Sequence, residues 1–342
     1  MAQADYELVI IGGGPAGLTA GIYSARARMN VVLYEKAALG GQVIVSDWIE
    51  NYPGFPDGIS GYDLSEKMLN QAKNLGLNIE SEDVTAIEVD GDKRIVHLGK
   101  NRKVTTKAVI IATGASPRKL NVGESKFMGK GVSFCATCDG PFFRDKTVVA
   151  VGGGDTAVQE SIFLTRFVKK LYLVHRRDQL RATKILQERA FKNEKIEFVW
   201  DSVVSGMDGF FSVENVKIKS VKTGEERNIK ADGCFIWVGI TPNTDFLQAN
   251  IVPKKSNNIN NIDAHIATEQ ETDNSGIVNV ANLLKIDDSG FIHTNEYMET
   301  SVPGIFAAGD VRTTPLKQIA TAVGDAAIAV MSAEHYIEKL QD

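Results

Sequence analysis

The stretch YELVIIGGGPAGLTAGIYSARARMNVVLYE, residues 6–35, decides the fold of this chain. It starts as an apolar, β-rich run and passes directly into the order G-x-G-x-x-G, which is formed by Gly12, Gly14 and Gly17. A helix-compatible stretch follows, and a second β-rich run occupies residues 31–34. This order predicts a strand–helix–strand unit, in which the glycines let the backbone turn tightly and approach a pyrophosphate at the helix N-terminus.

An acidic residue closes this first unit. Glu35 lies at the distance from Gly17 where a carboxylate can accept hydrogen bonds from ribose hydroxyls. A lone G-x-G-x-x-G is a weak signal, because glycines also serve ordinary tight turns. Here the two strands, the helix and the acid agree, and together they indicate a dinucleotide site.

The same pattern recurs later in the chain. The apolar run Thr147–Val151 is followed by Gly152, Gly154 and Ala157 in the spacing of the first motif. A returning β-rich run occupies residues 171–174. The repeat therefore predicts a second nucleotide-binding unit of the same design.

The second unit lacks the acid of the first. His175 holds the position that corresponds to Glu35, and Arg176, Arg177 and Arg181 follow it. Cations at this position suit a 2′-phosphate, whereas a bare 2′-hydroxyl would leave them unpaired. The alternative interpretation is the solvated basic start of a helix. The acidic first site favours FAD and the basic second site favours NADPH, and this combination indicates hydride transfer.

A close cysteine pair, Cys135 and Cys138, stands just before the second unit. In a C-x-x-C motif the pKa of one thiol can be lowered, and the thiolate is the nucleophile of disulfide exchange. The pair is therefore a candidate redox centre, with an inert buried pair and a zinc site as the alternatives. A zinc site needs four ligands, and neither a second cysteine pair nor a finger-like histidine spacing accompanies this pair.

Two further residues near the motifs have simple interpretations. Asp139 follows Cys138 and is the nearest candidate proton donor, although it also suits a turn beside Gly140. Cys234 lies in the apolar, β-like run at residues 233–238, where packing explains a lone cysteine.

Length and composition narrow the class of protein. The 342 residues favour two domains, and 38 basic against 43 acidic residues, with no dense basic run, make nucleic acid an unexpected partner. Apolar runs such as residues 109–112 are strand-sized and too short to cross a membrane. The start of the chain does not resemble a secretory signal, and three cysteines do not make a disulfide framework, so a cytoplasmic location is expected.

Taken together, these residues resemble the low-molecular-weight thioredoxin reductase family, over nearly the whole chain. The order C-A-T-C-D between two nucleotide motifs is the most specific part of the resemblance. The other matching segments are GGGPAG (12–17), GGQ (40–42), ENYPG (50–54), ATG (112–114), HRR (175–177), residues 239–243, GD (309–310) and KQ (317–318).

The resemblance implies an α/β fold with two Rossmann-like three-layer domains. An FAD domain of residues 1–117 and 246–342 would be interrupted by an NADPH domain of residues 118–245. Asp310 would bind the ribitol of FAD, and the helix that begins at Gln318 would face the pyrimidine end of the flavin. The implied FAD residues are Gly12, Gly14, Pro15, Ala16, Gly17, Glu35, Gly41, Gln42, Asn51, Thr113, Gly114, Gly309, Asp310, Lys317, Gln318 and Ile319. The implied NADPH residues are Gly152, Gly154, Asp155, Thr156, Ala157, His175, Arg176, Arg177 and Arg181.

The implied activity is NADPH-dependent reduction of thioredoxin or a similar small dithiol protein, by a homodimer. Cys138 would face the flavin, Cys135 would attack the external disulfide, and Asp139 would move the proton. Rotation between the domains, with hinges near residues 114–118 and 239–243, would let nicotinamide and disulfide reach the flavin in turn.

Other functions with the same nucleotide folds remain open. A flavodoxin or ferredoxin reductase does not need the C-x-x-C motif, and a non-catalytic redox sensor would use its disulfide to switch a binding surface. The alkyl hydroperoxide reductase flavoprotein is also similar, and carries a further N-terminal thioredoxin-like region that is not expected here.

Two segments and one residue in the last part of the chain lead to further expectations. Residues 251–284 are rich in Asn and charge and predict a surface insertion, or alternatively a partner-binding element. Lys317 replaces the arginine of many relatives, which keeps a cation but removes the bidentate fork. Residues 319–337 predict a helix whose buried face carries Ile319, Val323, Ala326, Val330, Ala333 and Ile337.

Overall fold

The computed structural model of the protein describes residues 4–46, 48–99, 101–248 and 278–340. The chain forms two compact units. The first unit contains the described residues up to Val43, those from Leu64 to Ala115, and those from Pro242 onward. The second unit contains Ile44–Asp63 and Ser116–Thr241.

The elements are numbered in chain order. The strands are β1 (Tyr6–Ile11), β2 (Val31–Glu35), β3 (Asn78–Ser81), β4 (Val84–Asp90), β5 (Lys93–Leu98), β6 (Arg102–Ile111), β7 (Ala115–Pro117), β8 (Val132–Ser133), β9 (Thr147–Val151), β10 (Lys170–Val174), β11 (Ile196–Val199), β12 (Ser202–Asp208), β13 (Asn215–Ser220), β14 (Glu226–Lys230), β15 (Gly233–Ile236), β16 (Ile240–Pro242), β17 (Val278–Asn279) and β18 (Ile305–Ala307). The α-helices are α1 (Pro15–Arg26), α2 (Gly61–Asn74), α3 (Ala136–Asp139), α4 (Asp155–Leu164), α5 (Lys184–Phe191), α6 (Asp245–Gln248) and α7 (Ile319–Lys339). The 3-10 helices are Gly41–Val45, Glu124–Phe127, Gly140–Phe143, Val280–Asn282 and Gly309–Val311.

β1 lies at the centre of the first unit. Its sheet has the order β17-β4-β5-β6-β1-β2-β3, with β18 paired to β6, and β1 runs parallel to both β2 and β6. Leu8 and Ile10 of β1 pack in the layer of α1 and α7, whereas Val9 and Ile11 pack against side chains of β4 and β5. Both faces of β1 are therefore buried, which explains why it reads as a continuous apolar run.

β9 has the same place in the second unit. The parallel sheet has the order β11-β10-β9-β15-β8. Val148 and Ala150 pack with α4 and α5, whereas Val149 and Val151 face the antiparallel sheet β12-β13-β14. Each unit thus stacks helices, a parallel sheet and antiparallel strands, which confirms the predicted three-layer α/β class.

The chain passes between the units at four positions, and the last two of these are paired with each other. Ala115–Pro117 and Ile240–Pro242 pair as a two-stranded sheet. Just before the first strand and just after the second, Thr113 and Asn243 exchange two hydrogen bonds. The hydroxyl of Thr113 donates to the Asn243 carbonyl, and the amide of Asn243 donates to the Thr113 carbonyl, both at 2.8 Å. The entry and exit of the chain are therefore held side by side.

α7 confirms the helix predicted near the C-terminus, with one correction to its buried face. Ala326, Val330, Ala333 and Ile337 are buried as expected, but Ile319 and Val323 are only half-buried, and Ala322 and Ala329 complete the apolar stripe. Small side chains there allow α7 to pack closely against α1. In the described parts of the chain, no helix combines the length and apolar character that a membrane span requires.

The expected insertion at residues 251–284 lies mostly outside the described residues. Its last part, residues 278–284, does not behave as a surface insertion. Val278 and Asn279 pair with β4, and Val280 and Leu284 are buried in the core of the first unit. This end of the segment belongs to the fold, because its apolar side chains cover one face of the first sheet.

Candidate functional site

The first glycine turn contains one glycine that the protein's own packing does not require. A side chain at Gly17 would collide with the carbonyl of Gly12, so this glycine permits α1 to start against β1. Gly14 differs, since an added Cβ would meet only the Cα of Gly41, at 3.9 Å. Gly14 precedes α1 with φ −76°, a value open to any residue. The open side of the turn fits the close approach of a dinucleotide phosphate, as the sequence predicted.

Glu35 holds this turn from the end of β2. Its two carboxylate oxygens accept hydrogen bonds from the amides of Gly13, at 2.6 Å, and Ala37, at 2.8 Å. Carboxylate oxygens have further lone pairs, so these bonds leave acceptor capacity for ribose hydroxyls. The bond to Gly13 fixes the acid next to the glycine turn.

A second loop of the first unit reaches the same helix start. Gly309 has φ 75°, and an added Cβ there would lie 3.1 Å from the Cβ of Ala16. The next residue, Asp310, is thereby placed beside the beginning of α1. Burial raises the pKa of Asp310, while Lys317 opposes this shift and Asp325 adds to it. A half-buried carboxylate at this position is a natural acceptor for a hydroxyl-bearing ligand.

Lys317 is turned toward main-chain carbonyls. Its ammonium donates to the carbonyls of Asp310, at 2.9 Å, and Arg312, at 3.1 Å, and lies 4.2 Å from the ring centre of Phe291. Burial lowers the pKa of Lys317, although Asp310 works in the opposite direction. The cation expected here is thus present but engaged, and its direct bonds tie the Asp310 loop to the start of α7.

The remaining FAD candidates fall into two groups. Gln318 caps α7 through reciprocal hydrogen bonds with Thr321, and Ile319 begins that helix. Thr113, Gly114, Pro15, Gly41 and Gln42 also belong to the first unit. Asn51 does not, because Ile44–Asp63 is part of the second unit. The structure therefore brings the predicted FAD residues together in one unit with Asn51 as the exception.

The second glycine turn repeats the first in detail. A side chain at Gly152 would crowd Ala157 and the carbonyl of Trp237, both at 2.5 Å, and Gly152 has φ 149°. At Gly154 an added Cβ would find nothing within 4 Å. Asp155, the first residue of α4, accepts a hydrogen bond from the Thr183 amide at 2.6 Å, and Thr156 is exposed beside it. The turn again leaves its ligand side open.

His175 is a packing residue beneath this turn. It is 5% exposed, and a side chain at Gly153 would collide with its ring. Burial lowers the pKa of His175, and the charges of Arg181, Arg177 and Arg176 lower it further, against a raising bond to the backbone of Gln179. The neutral form of the imidazole is therefore favoured, and the expectation that it adds a cation needs this correction.

The three arginines that follow are exposed. The segment after β10 is a loop, not the start of a helix, and α5 begins only at Lys184. The amide of Arg181 donates to the carbonyl of Gly153 at 2.7 Å, which brings this arginine back to the glycine turn. Arg176, Arg177 and Arg181 are thus exposed cations that follow β10, and Arg181 is bonded to the glycine turn.

Cys135 and Cys138 form a disulfide at the start of α3, with their Cα atoms 5.3 Å apart. Cys135 is the N-cap, and its sulfur accepts a hydrogen bond from the Cys138 amide at 3.2 Å and lies 3.3 Å from the Thr137 hydroxyl. Two donors near this sulfur favour a thiolate there. Sulfurs bonded to each other are not available as zinc ligands, so the redox interpretation is the one that the structure supports.

Two side chains near the disulfide were missed in the sequence. The Ser133 hydroxyl donates to a carboxylate oxygen of Asp139 at 2.5 Å and accepts from the Cys135 amide at 3.0 Å. Glu160, on α4, accepts a hydrogen bond from the Ala136 amide at 3.1 Å. Ser133 could have been suspected from its place two residues before Cys135. Glu160 is distant in sequence, and only the packing of α3 on α4 reveals it.

Cys234 takes no part in this centre. It lies in β15 with no exposed surface, and burial raises the pKa of its thiol well above the usual range. A buried, protonated thiol packs as a small apolar side chain. The expectation of a purely structural cysteine is confirmed.

Comparison with known proteins agrees with this site. A family model described as pyridine nucleotide-disulphide oxidoreductase matches residues 6–277 and 270–326. A thioredoxin reductase of Bacillus subtilis is 42% identical over 339 residues, covering 98% of this chain and 96% of that protein. A thioredoxin reductase of Listeria monocytogenes is also 42% identical, with 98% and 95% covered. The crystal structure of thioredoxin reductase from Streptococcus pyogenes gives a TM-score of 0.84 at 43% identity, covering 99% of this chain and 100% of that one.

Proposed function

The chain belongs to the pyridine nucleotide-disulphide oxidoreductase family, among its thioredoxin reductases, and we propose that its substrate is the disulfide of thioredoxin or a similar small dithiol protein. It is an oxidoreductase whose cofactors are FAD and NADPH. The observation that carries the proposal is the Cys135–Cys138 disulfide, in a chain that also has two glycine turns with open ligand sides.

The residues of the first unit support FAD binding. Gly14 leaves room for the pyrophosphate, Glu35 offers its carboxylate to ribose hydroxyls, and Asp310 offers a half-buried acceptor to the ribitol. Bound FAD supplies the relay that carries hydride equivalents from NADPH to a disulfide. We assign residues 1–117 and 246–342 to this role, with the segment around Asn51 as the part that packs elsewhere.

The residues of the second unit support NADPH binding. Gly154 leaves room for the second pyrophosphate, and exposed Arg176, Arg177 and Arg181 offer charge-assisted bonds to the 2′-phosphate. NADH lacks this phosphate and gains nothing from those charges. We assign residues 118–245 to this role.

The two cysteines have different roles in this proposal. The Cys138 amide and the Thr137 hydroxyl lie close to the Cys135 sulfur, which supports Cys135 as the thiolate that attacks the external disulfide. Cys138 would then close the disulfide again, and would be the sulfur that receives reducing equivalents when FAD is bound. Asp139, held by Ser133, moves the proton that the leaving sulfur needs.

We further propose a homodimer in the cytoplasm. Exposed apolar side chains on α1 and α7, Tyr23 and Met331, offer surface for contact between copies. A catalytic disulfide that is repeatedly reduced suits a reducing compartment. Molar mass in solution, measured by light scattering, tests the dimer, and a mass of about one chain at micromolar concentration would exclude it.

The deciding experiment is a steady-state assay with NADPH and several purified thioredoxins. Repeated turnover with at least one thioredoxin, absent when the disulfide of that thioredoxin is removed, is the expected result. A redox sensor would consume one equivalent of NADPH and stop. A flavodoxin or ferredoxin reductase would reduce those proteins and keep that activity after Cys135 and Cys138 are replaced by serine.

A further inference from the structure

Glu160 is the only side chain of α4 shown to bond the disulfide turn in the described part of the chain. Its carboxylate, half-buried between α3 and α4, accepts the amide hydrogen of Ala136 at 3.1 Å. Ala136 is the first residue of α3 and is fully buried. A buried amide at the start of a helix has no partner within the helix and is costly to leave unpaired. Glu160 supplies that partner from another element.

The amide donors at the start of α3 bond three different acceptors. The Ala136 amide donates a hydrogen bond to the Glu160 carboxylate, whereas the Cys138 amide donates to the Cys135 sulfur. The Asp139 amide goes to the Cys135 carbonyl. Reduction therefore places a Cys135 thiolate and the Glu160 carboxylate at one end of the same short helix. Two negative charges in such proximity disfavour each other.

The other ionisable groups on the helices around Glu160 either bond other partners or are exposed. Asp139, on α3 itself, bonds Ser133, and Asp155, on α4, bonds the Thr183 amide. α5 also packs on α4 and carries Lys184, Glu188 and Arg189 on its exposed surface. Burial raises the pKa of Glu160 and the Ala136 amide lowers it, and no charged partner contributes. The carboxylate is thus not neutralised by a neighbouring cation among the described residues.

We propose that Glu160 is a positioning residue for disulfide exchange, which anchors α3 through Ala136 and, through its charge, keeps the Cys135 thiol from becoming strongly acidic. The proposal rests on the proposed function. It makes chemical sense because the nucleophilicity of a thiolate falls as the thiol becomes more acidic, and the best attacking thiol titrates near ambient pH. The hydrogen bond to Ala136 and the negative charge of Glu160 can be tested separately, since a glutamine at this position retains an acceptor oxygen and loses the charge.

The charge is tested without NADPH or thioredoxin, so the result does not depend on the proposed substrate. In the Cys138→Ser holoenzyme, Cys135 is the one reactive thiol of the described chain, because Cys234 is fully buried. The rate of iodoacetamide alkylation is measured from pH 5 to pH 10. Adding Glu160→Gln lowers the midpoint by roughly half a pH unit or more. Adding Glu188→Gln, which removes an exposed charge from the same unit, leaves it unchanged.

The anchor is tested by turnover in the otherwise unaltered enzyme. Glu160→Gln keeps kcat within about threefold, whereas Glu160→Ala lowers kcat roughly tenfold because the buried Ala136 amide loses its partner. FAD content and NADPH oxidation with an artificial electron acceptor report whether each variant is folded. An unchanged alkylation midpoint in Glu160→Gln overturns the electrostatic part, and equal kcat values in the glutamine and alanine variants overturn the anchor.

Discussion

The hydroxyl of Ser133 donates to the carboxylate of Asp139 at 2.5 Å, across the turn that carries the disulfide. Ser133 is 3% exposed and also accepts from the Cys135 amide, so its position is fixed from both sides. The carboxylate that follows Cys138 is therefore oriented by a residue on β8, before the turn begins. A proton carrier acts efficiently only when it is held within reach of the reacting atom.

Removing the hydrogen bond from Ser133 to Asp139 should slow proton transfer without weakening the binding of thioredoxin to a similar extent. We expect Ser133→Ala to lower kcat about fivefold to tenfold and Asp139→Asn to lower it about a hundredfold, because positioned general acid–base groups contribute at least that much. The KM for thioredoxin should change little in both. Steady-state kinetics check this, with Ser202→Ala as the control, since Ser202 donates to a carbonyl in the same unit away from the disulfide. Equal kcat in Ser133→Ala and the unaltered enzyme would remove Ser133 from the mechanism.

Serine substitutions at Cys135 and Cys138 should impair disulfide exchange in different ways. Cys138→Ser should trap a mixed disulfide with a thioredoxin that lacks its resolving cysteine, because the attacking sulfur of Cys135 is still present. Cys135→Ser should trap much less. Non-reducing electrophoresis and mass spectrometry measure the adduct, and both variants should retain FAD. The reverse trapping pattern would exchange the two roles without removing the dithiol mechanism.

The sequence predicted the parts of this site that are local. A glycine turn, its strand and its helix are fixed by neighbours in the chain, so β1, α1 and β2 lie where the first motif placed them. The disulfide is local as well, because Cys135 and Cys138 are one turn apart. In these stretches short-range geometry and burial favour the same conformation, and pattern reading succeeds.

The parts that sequence reasoning missed depend on packing between distant segments. Glu160 meets Ala136 only because α4 packs on α3. His175 was expected to add a cation, but its ring is buried beneath the turn, in the space that the absence of a side chain at Gly153 leaves open. A charged-residue pattern does not state which member of the pattern is buried.

The arginine cluster should determine cofactor preference. Arg176→Ala with Arg177→Ala should lower kcat/KM for NADPH at least about tenfold more than for NADH, because a bond to a charged group contributes roughly 1.5–3 kcal/mol. Arg189→Ala is the control, as Arg189 is an exposed cation on α5 of the same unit. Equal losses with NADPH and NADH would assign the two arginines to the fold.

Alanine substitutions in the glycine turns, each of which adds one methyl group, should distinguish glycines that cofactor binding needs from glycines that folding needs. Gly14→Ala should fold normally yet lose most of its FAD, because the new methyl has room in the protein but stands on the ligand side of the turn. Gly154→Ala should keep FAD and raise the KM for NADPH at least about tenfold. Gly17→Ala is the contrast, and should express poorly because its methyl collides with the Gly12 carbonyl. Flavin absorbance per chain measures the FAD content of all three variants, and steady-state kinetics measure the KM of Gly154→Ala for NADPH. A full FAD content in Gly14→Ala would contradict the assignment.

Glu124 should make the second unit sensitive to acid. It is 2% exposed and accepts the amides of Leu120, Asn121 and Val122. Burial alone would raise the pKa of Glu124, but these amides together hold it below its usual 4.5. A lowered folded-state pKa stabilises the protein above the unfolded value, and that contribution is lost as the pH falls through the folded one.

Glu124→Gln should therefore lower the free energy of unfolding by roughly 1–3 kcal/mol at pH 7. The loss of stability as the pH falls below about 5 should be smaller in Glu124→Gln than in the unaltered protein. Urea unfolding followed by tryptophan fluorescence reports this unit, since Trp48, Trp200 and Trp237 all belong to it. The same pH dependence in both proteins would mean that Glu124 contributes no acid sensitivity.

The strands β7 and β16 pair where the chain passes between the units, and Thr113 and Asn243 hold their ends together. This arrangement also bears on how such a chain can be built. A segment whose two ends are neighbours can be accepted into a host fold, or removed from it, without stretching the host. Most of the second unit, Ser116–Thr241, is such a cassette. A protein that consists of the first unit, with a short turn in place of the cassette, would lose little stability through loop-closure entropy. Recombination at this point can therefore exchange one nucleotide specificity for another while leaving the surrounding sheet uninterrupted.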